Sequence, residues 1–367
     1  MTPAPGDPAP APGLIPRDSL LPNLEFPFRD LNSRVTPTEC FYVRNHFPTP
    51  ALTAGGWSLT VGGAVLHPLR LGLEELRSLP SRTVTATMEC AGNGRTFLSP
   101  RPRGVPWELG AVGTARWTGV PLSAVLERAG LPEVVAAWEV VLEGADRGVM
   151  TEPVPSPGEI SYARSVPLAK ALDDVLLAHE MNGEALTPDH GFPVRAVVPG
   201  WYGMASVKWL TAVRVVPGPF LGYFQTVDYA YWEEKDGLPP QLRPIGPLQL
   251  KAAIARPAPR EVVPCGVTYE VTGAAWSGEA DVARVEVSVD GGCTWADAEF
   301  LDPPMPHVWR RWRFRWQTPE GPGSRTLLAR ATDTRGRTQP TCHDPARGSY
   351  MITHPLPIEV DVRESSP

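Results

Sequence analysis

In the run Thr87-Met88-Glu89-Cys90-Ala91-Gly92-Asn93-Gly94-Arg95, an apolar strand-like stretch ends in a cysteine and passes at once into small residues. Glycine and alanine at such a point let backbone come close to something bulky. The thiol at its head has three chemical readings. It is an inert buried cysteine; or a nucleophile, if an imidazole such as that of His190 serves it as base; or, as a thiolate, a soft and strongly donating ligand for a high-valent metal. The spacing of Gly92 and Gly94 imitates part of a dinucleotide loop, but the third glycine is missing and no clear βαβ unit surrounds it, so that reading is discarded. The five cysteines, at 40, 90, 265, 293 and 342, are scattered and form no CxxC pair, which argues against a disulfide framework and a structural zinc site.

The elements that must position Cys90 divide the 367-residue chain in two. Residues 1–20, rich in Pro and Ala, read as a disordered tail. Residues 21–235 read as an α+β domain. Its strand-like runs are Trp57 to Val61, Trp138 to Leu142, Val194 to Val198 and Val207 to Val216, and its short helical patterns Leu73 to Ser78 and Leu122 to Ala129. The segment from Trp232 to Pro257, with five prolines, reads as a crossover into residues 236–367. There Thr268 to Ala274, Ala283 to Val289, His307 to Trp316 and Ser324 to Thr332 alternate apolar with polar, and Asp290-Gly291-Gly292 supplies a hairpin turn. Such spacing predicts an immunoglobulin-like β-sandwich. In Arg311-Trp312-Arg313-Phe314-Arg315-Trp316 the aromatics share one face and the arginines the other, either as a solvated basic face or as groups aimed at an interface or a site. A charge balance of 34 Lys and Arg against 40 Asp and Glu argues against binding nucleic acid or an anionic membrane. With no apolar run of roughly 18 residues and no leader-like start, the expected location is cytoplasmic.

Several segments together resemble the sulfite oxidase family of molybdenum-cofactor oxidoreductases, which includes assimilatory nitrate reductases. Cys90-Ala91-Gly92-Asn93-Gly94-Arg95 resembles that family's metal-ligating loop, and Phe41-Tyr42-Val43-Arg44-Asn45-His46 its first pterin-binding segment. Gly110 to Val120, Leu177 to Gly183, Asp189 to Arg195, Pro199 to Gly203 and Ser206 to Trp209 follow in the matching order. The resemblance implies a mixed α+β molybdopterin-binding domain followed by a β-sandwich through which chains form a homodimer. It also implies one molybdenum-molybdopterin per chain, with Cys90 as the metal's protein ligand.

The cofactor partners it implies are Tyr42, Arg44, Asn45, His46, Asp146, His190, Arg195, Ser206, Val207 and Lys208; for Asp146 a surface-turn aspartate is the competing reading. Arg44 and Arg95 would hold a small oxyanion such as sulfite, Trp107 would wall the funnel, and a third arginine is expected from Arg310, Arg311 or Arg313. His179 stands where the family usually has a tyrosine before Glu-Met-Asn-Gly, so it is either a catalytic substitute that titrates near neutrality or a buried strand histidine. The implied reaction is oxygen-atom transfer from water to sulfite. The chain carries no haem-attachment motif, so electrons would leave to an external acceptor, a cytochrome or dioxygen. A reductase of nitrate or an S-oxide on the same scaffold is the rival enzyme, and a hydrolase using Cys90 and His190 the rival from another class.

Overall fold

Strand-forming residues in the first half of the chain assemble into two five-stranded sheets in the computed structural model, which describes residues 13–133 and 137–364. One sheet sets Arg82–Glu89, Val112–Pro121, Leu176–Met181 and Glu184–Ala185 side by side, with Arg195–Val197 also paired to Leu176–Met181. The other orders Leu69–Gly72, Ser58–Gly63, Leu210–Pro217, Trp138–Gly148 and Ile160–Pro167. Only Ser58–Gly63 and Leu210–Pro217 run parallel to one another within these two sheets. The predicted helix Leu122–Ala129 forms with those bounds because Leu122, Val125, Leu126 and Ala129 fall on one helical face and are buried. Gly130, at φ +68°, ends it.

The second half is all β. Lys251–Arg256, Thr268–Trp276, Arg310–Gln317 and Glu299–Phe300 make one sheet, and Val262–Pro264, Ile358–Arg363, Gly323–Asp333, Val282–Ser288 and Ala296–Asp297 the other. Inward-facing residues of both, among them Val271, Trp312, Val285, Leu327 and Val360, belong to one buried cluster. The Asp290-Gly291-Gly292 turn forms with both glycines at positive φ and the Asp290 carboxylate accepting the Thr294 N–H at 2.9 Å.

Three expectations change. The tail expected over residues 1–20 lies outside the described residues up to 12, whereas 13–20 are part of the fold. Leu14 is buried, Ile15–Pro16 pairs with Leu24–Glu25, and Arg17 bonds Glu25 and, at 2.8 Å, Glu108. Burying Glu25 calls for a cation, and Arg17 supplies it. The segment read as a plain crossover contains a hairpin, Ala230–Glu233 against Gln241–Pro244. The arginines proposed for the site lie instead on the sandwich surface: Arg310 stacks 3.4 Å from the Phe300 ring centroid, Arg311 is bidentate to Asp302, and Arg313 pairs with Glu299. With Trp312 and Trp316 buried on the opposite face, period-two alternation leaves Arg311 and Arg313 for the carboxylates of Asp302 and Glu299, while Arg310, which shares the tryptophans' parity, is held by the Phe300 ring and the carbonyls of Val282 and Asp302. Among the described residues, no helix is long and apolar enough to cross a membrane.

Candidate active site

The strand Arg82–Glu89 delivers Cys90 to a loop closed by its own hydrogen bonds. The Cys90 N–H donates to Ala111 O at 2.8 Å, and the Asn93 N–H donates to Cys90 O at 2.9 Å. The Asn93 side chain accepts from the Ala111 N–H at 3.1 Å and donates to Glu89 at 3.0 Å. The glycines make room for an arginine: a Cβ on Gly92 would lie 2.2 Å from Arg95 Nη2, and one on Gly104 2.8 Å from Arg95 Nη1. Arg95 is thereby buried, donating to Val105 O at 2.7 Å and Ser349 O at 3.3 Å, with Tyr350 5.4 Å from its guanidinium carbon.

Cys90 opens on a cleft, about 630 Å³ when the open solvent at its mouth is counted. Of the expected residues, Tyr42, Arg44, Asn45, His46 and Asp146 line it, as do His190, Arg195, Ser206 and Lys208. Burial pushes the Cys90 thiol up, while Arg95 and Arg44 pull it down. Burial also opposes the charge on Arg44, but Tyr229, Cys90 and Asp228 outweigh it and hold that guanidinium charged. Arg195 is buried and brought down to about 10, donating to His190 O at 3.1 Å and Ser206 O at 2.9 Å. Burial lowers Lys208 and raises Asp146, the two acting on each other; Lys208 donates to Asn45 and, at 2.8 Å, to Asp189 O. One carboxylate oxygen of Asp146, Oδ1, is buried with no hydrogen-bond partner. An orphaned buried acceptor beside cationic donors is what a ligand with its own donors would complete.

Chicken (Gallus gallus) sulfite oxidase is 40% identical to this chain over 352 residues, covering 91% of the chain and 74% of the relative. The chain belongs to the sulfite oxidase family. A molybdopterin-binding oxidoreductase domain model matches residues 46–224, and a molybdenum-cofactor oxidoreductase dimerisation domain model residues 243–348. Human mitochondrial sulfite oxidase is 37% identical over 325 residues, and the chain spans 57% of that protein's length. Among solved structures, the sulfane dehydrogenase SoxCD of Paracoccus pantotrophus superposes with a TM-score of 0.79 at 28% identity, covering 94% of this chain and 87% of that one. The chain is thus a molybdopterin-dependent oxidoreductase with a mixed α and β cofactor domain followed by an all-β dimerisation domain.

The family's chemistry fits the donor set. The orphaned Asp146 Oδ1 and the cationic Arg195 and Lys208 in the same cleft suit a ligand that carries both donors and a phosphate. A hydrolase is disfavoured by the same geometry. His190 Nε2 is engaged with Thr38 O at 3.1 Å, and burial, with Arg195 and Lys208, pushes His190 down to about 3, leaving a poor base for a thiol that is itself raised.

Four expected residues do not line the cleft. Arg95 lies beneath the loop and acts on Cys90 through its charge. Val207 is buried beside the cleft, its carbonyl accepting the Ala196 N–H at 2.8 Å. Trp107 is fully buried and packs in the cluster that holds Cys90, with its indole N–H unpartnered. His179 sits in the strand Leu176–Met181, where Arg77 and Glu180 are its charged neighbours, and burial lowers it. Its Nδ1 is buried without a hydrogen-bond partner.

Three phenols line the cleft, those of Tyr42, Tyr162 and Tyr229, and sequence reading missed the last two. For Tyr229 the surroundings are specific. Its hydroxyl lies 2.7 Å from His46 Nε2, and its backbone is left-handed at φ +51°. No periodicity marks it, because it stands in an irregular connection. Burial forces His46 well below its usual range, with Arg44 and Lys208 adding to the effect, so its ring is neutral.

These depressed histidines make the protein acid-sensitive. In the unfolded chain a histidine takes a proton near 6.5, whereas folded His190 resists until about 3. The unfolded state therefore binds more protons, and His190 removes up to about 1.4 kcal/mol of stability per pH unit as pH falls through that window. In cofactor-free protein, urea unfolding followed from pH 7 to 4 is expected to show this slope, and His190→Gln to reduce it. An equal slope in the variant would exclude His190 as the source.

Proposed function

We propose that the chain oxidises sulfite: sulfite and water give sulfate, two electrons and two protons. The observation that carries this reading is a cleft in which Cys90 shares walls with the charged Arg44 and the Tyr229 hydroxyl, suiting a small dianion beside a thiolate-bound metal. The bound molybdenum cofactor would supply two-electron redox chemistry and oxygen-atom transfer. Cys90 would be its protein ligand, and Tyr42, Asn45, Asp146, His190, Arg195, Ser206 and Lys208 would hold the pterin and its phosphate. Arg44 would bind and orient the oxyanion, Tyr229 would direct its hydroxyl at it, and neutral His46 would keep that hydroxyl in place. Arg95 adds positive potential from below, and Trp107 keeps water from the back of the Cys90 loop. The cofactor domain would extend to about residue 235, with the all-β domain from 236 carrying a homodimer contact, and electrons would pass to an external cytochrome or to dioxygen.

An anaerobic absorption titration of molybdenum-loaded protein tests the reading. Sulfite is expected to bleach the thiolate-to-metal charge-transfer band stoichiometrically. A band that sulfite leaves unmoved would overturn sulfite as the substrate while retaining the cofactor.

A further inference from the structure

The residue before Cys90 is gripped by the other domain. Glu89 is 1% exposed, and one of its oxygens accepts from the Lys251 ammonium at 2.9 Å while the other accepts from the Trp276 indole N–H at 2.9 Å. Lys251, equally buried, also donates to Asn93 O at 2.9 Å, within the loop that Cys90 opens. Asn93 in turn bonds Glu89, so carboxylate, ammonium and amide form a closed set around the loop's two ends. Lys251 and Trp276 are the first residue of Lys251–Arg256 and the last of Thr268–Trp276, directly opposite each other in the sandwich sheet.

The same domain meets the loop again at its far side. The Met351 N–H donates to Ala91 O at 2.7 Å, and a Cβ on Gly94 would lie 3.0 Å from Leu356 and 3.3 Å from Ile352. A stability role alone would be poorly served by such a buried ion pair, since replacing one by packed apolar residues is often neutral or better. Buried charges that are fully hydrogen-bonded do, however, fix one geometry for the groups they join.

We propose that Lys251 and Trp276 are positioning residues for Cys90: the all-β domain, through Glu89 and Asn93, holds the thiolate loop in the one conformation that presents sulfur to the metal. This rests on Cys90 being the metal's ligand. Partners that orient a ligand commonly change metal affinity or activity by about 10- to 100-fold when removed.

The test compares Trp276→Phe, which keeps an aromatic ring but loses the donor, and Lys251→Met, which loses the charge, with Val285→Ala, a buried sandwich residue outside this network. Amide hydrogen exchange of residues 90–95 is measured in cofactor-free protein. The charge-transfer band, kcat and KM for sulfite are measured in the loaded enzyme. Both network variants are expected to raise exchange in the loop about tenfold or more, shift the band and lower kcat about tenfold with KM within about twofold. Val285→Ala should lower the melting temperature and leave all three readouts unchanged. Unchanged exchange and band in Trp276→Phe, or equal changes in Val285→Ala, would overturn the proposal, and Trp276→Phe still decides it should Lys251→Met fail to fold. Exchange that responds in a protein whose wild type shows no metal band would overturn Cys90 as ligand and leave the tether itself standing.

Discussion

Cys90→Ser is expected to abolish the thiolate-to-metal absorption band and lower turnover at least about 10³-fold, equivalent to roughly 4 kcal/mol of transition-state stabilisation. The reason is electronic. A serine hydroxyl does not ionise near neutrality and is a hard donor, whereas the thiolate is soft and strongly donating. The fold should survive, because the substitution exchanges one buried atom for another, and an unpaired buried hydroxyl costs about 1–3 kcal/mol. The loop's geometry is held by backbone and Asn93 bonds that do not involve sulfur. The measurement is absorption and steady-state kinetics on protein matched for molybdenum content, with urea unfolding alongside. A variant that kept the band would remove Cys90 from the metal's coordination sphere.

Arg44→Gln is the second large expected effect. Arg44 donates to Asn45 O and to Asn23 Oδ1, the latter at 3.4 Å, through one nitrogen only, and the guanidinium lines the cleft with Cys90 and Tyr229. Its remaining donors are thus available to an oxyanion, and it stays charged in spite of burial. Losing one forked cationic donor in a desolvated site costs about 10²- to 10³-fold. We expect kcat/KM for sulfite to fall by that factor, mostly through KM, with molybdenum content retained because Arg195 and Lys208 remain. If kcat/KM stayed within about threefold of wild type, Arg44 would not be the anion's anchor. Arg44→Lys, a point charge without the fork, should recover only part of the loss.

Much of the fold was legible before any coordinates. The helix Leu122–Ala129, the strands that begin at Trp138 and Thr268, and the turn at Gly291 and Gly292 follow from periodicity, caps and positive-φ glycines, all of which are local. Residues 13–20 were misjudged because a short strand in a proline-rich run carries no period, and its place depends on the distant Glu25 and Glu108. For Arg311 and Arg313 the sequence left a solvated face and a site-facing role both open, for the complementary reason. Alternation told that these two share a face, while the partners that consume them, Asp302 and Glu299, are set by sheet register.

The site divides along the same line. By itself the sequence determined the thiol at the head of a small-residue loop, the family, and most of the polar residues that line the cleft, because these stand in contiguous segments whose order and residue types are readable. Only the tertiary structure decided that Tyr229 and not His179 faces the cleft, that Arg95 lies beneath the Cys90 loop rather than in the wall, and that Lys251 and Trp276 reach Glu89 from the other domain. Glu89 and Lys251 are 162 positions apart, and Tyr229 lies 183 from the His46 it meets. Contacts at such separations are fixed by how sheets and domains pack, and no local pattern of side chains encodes them.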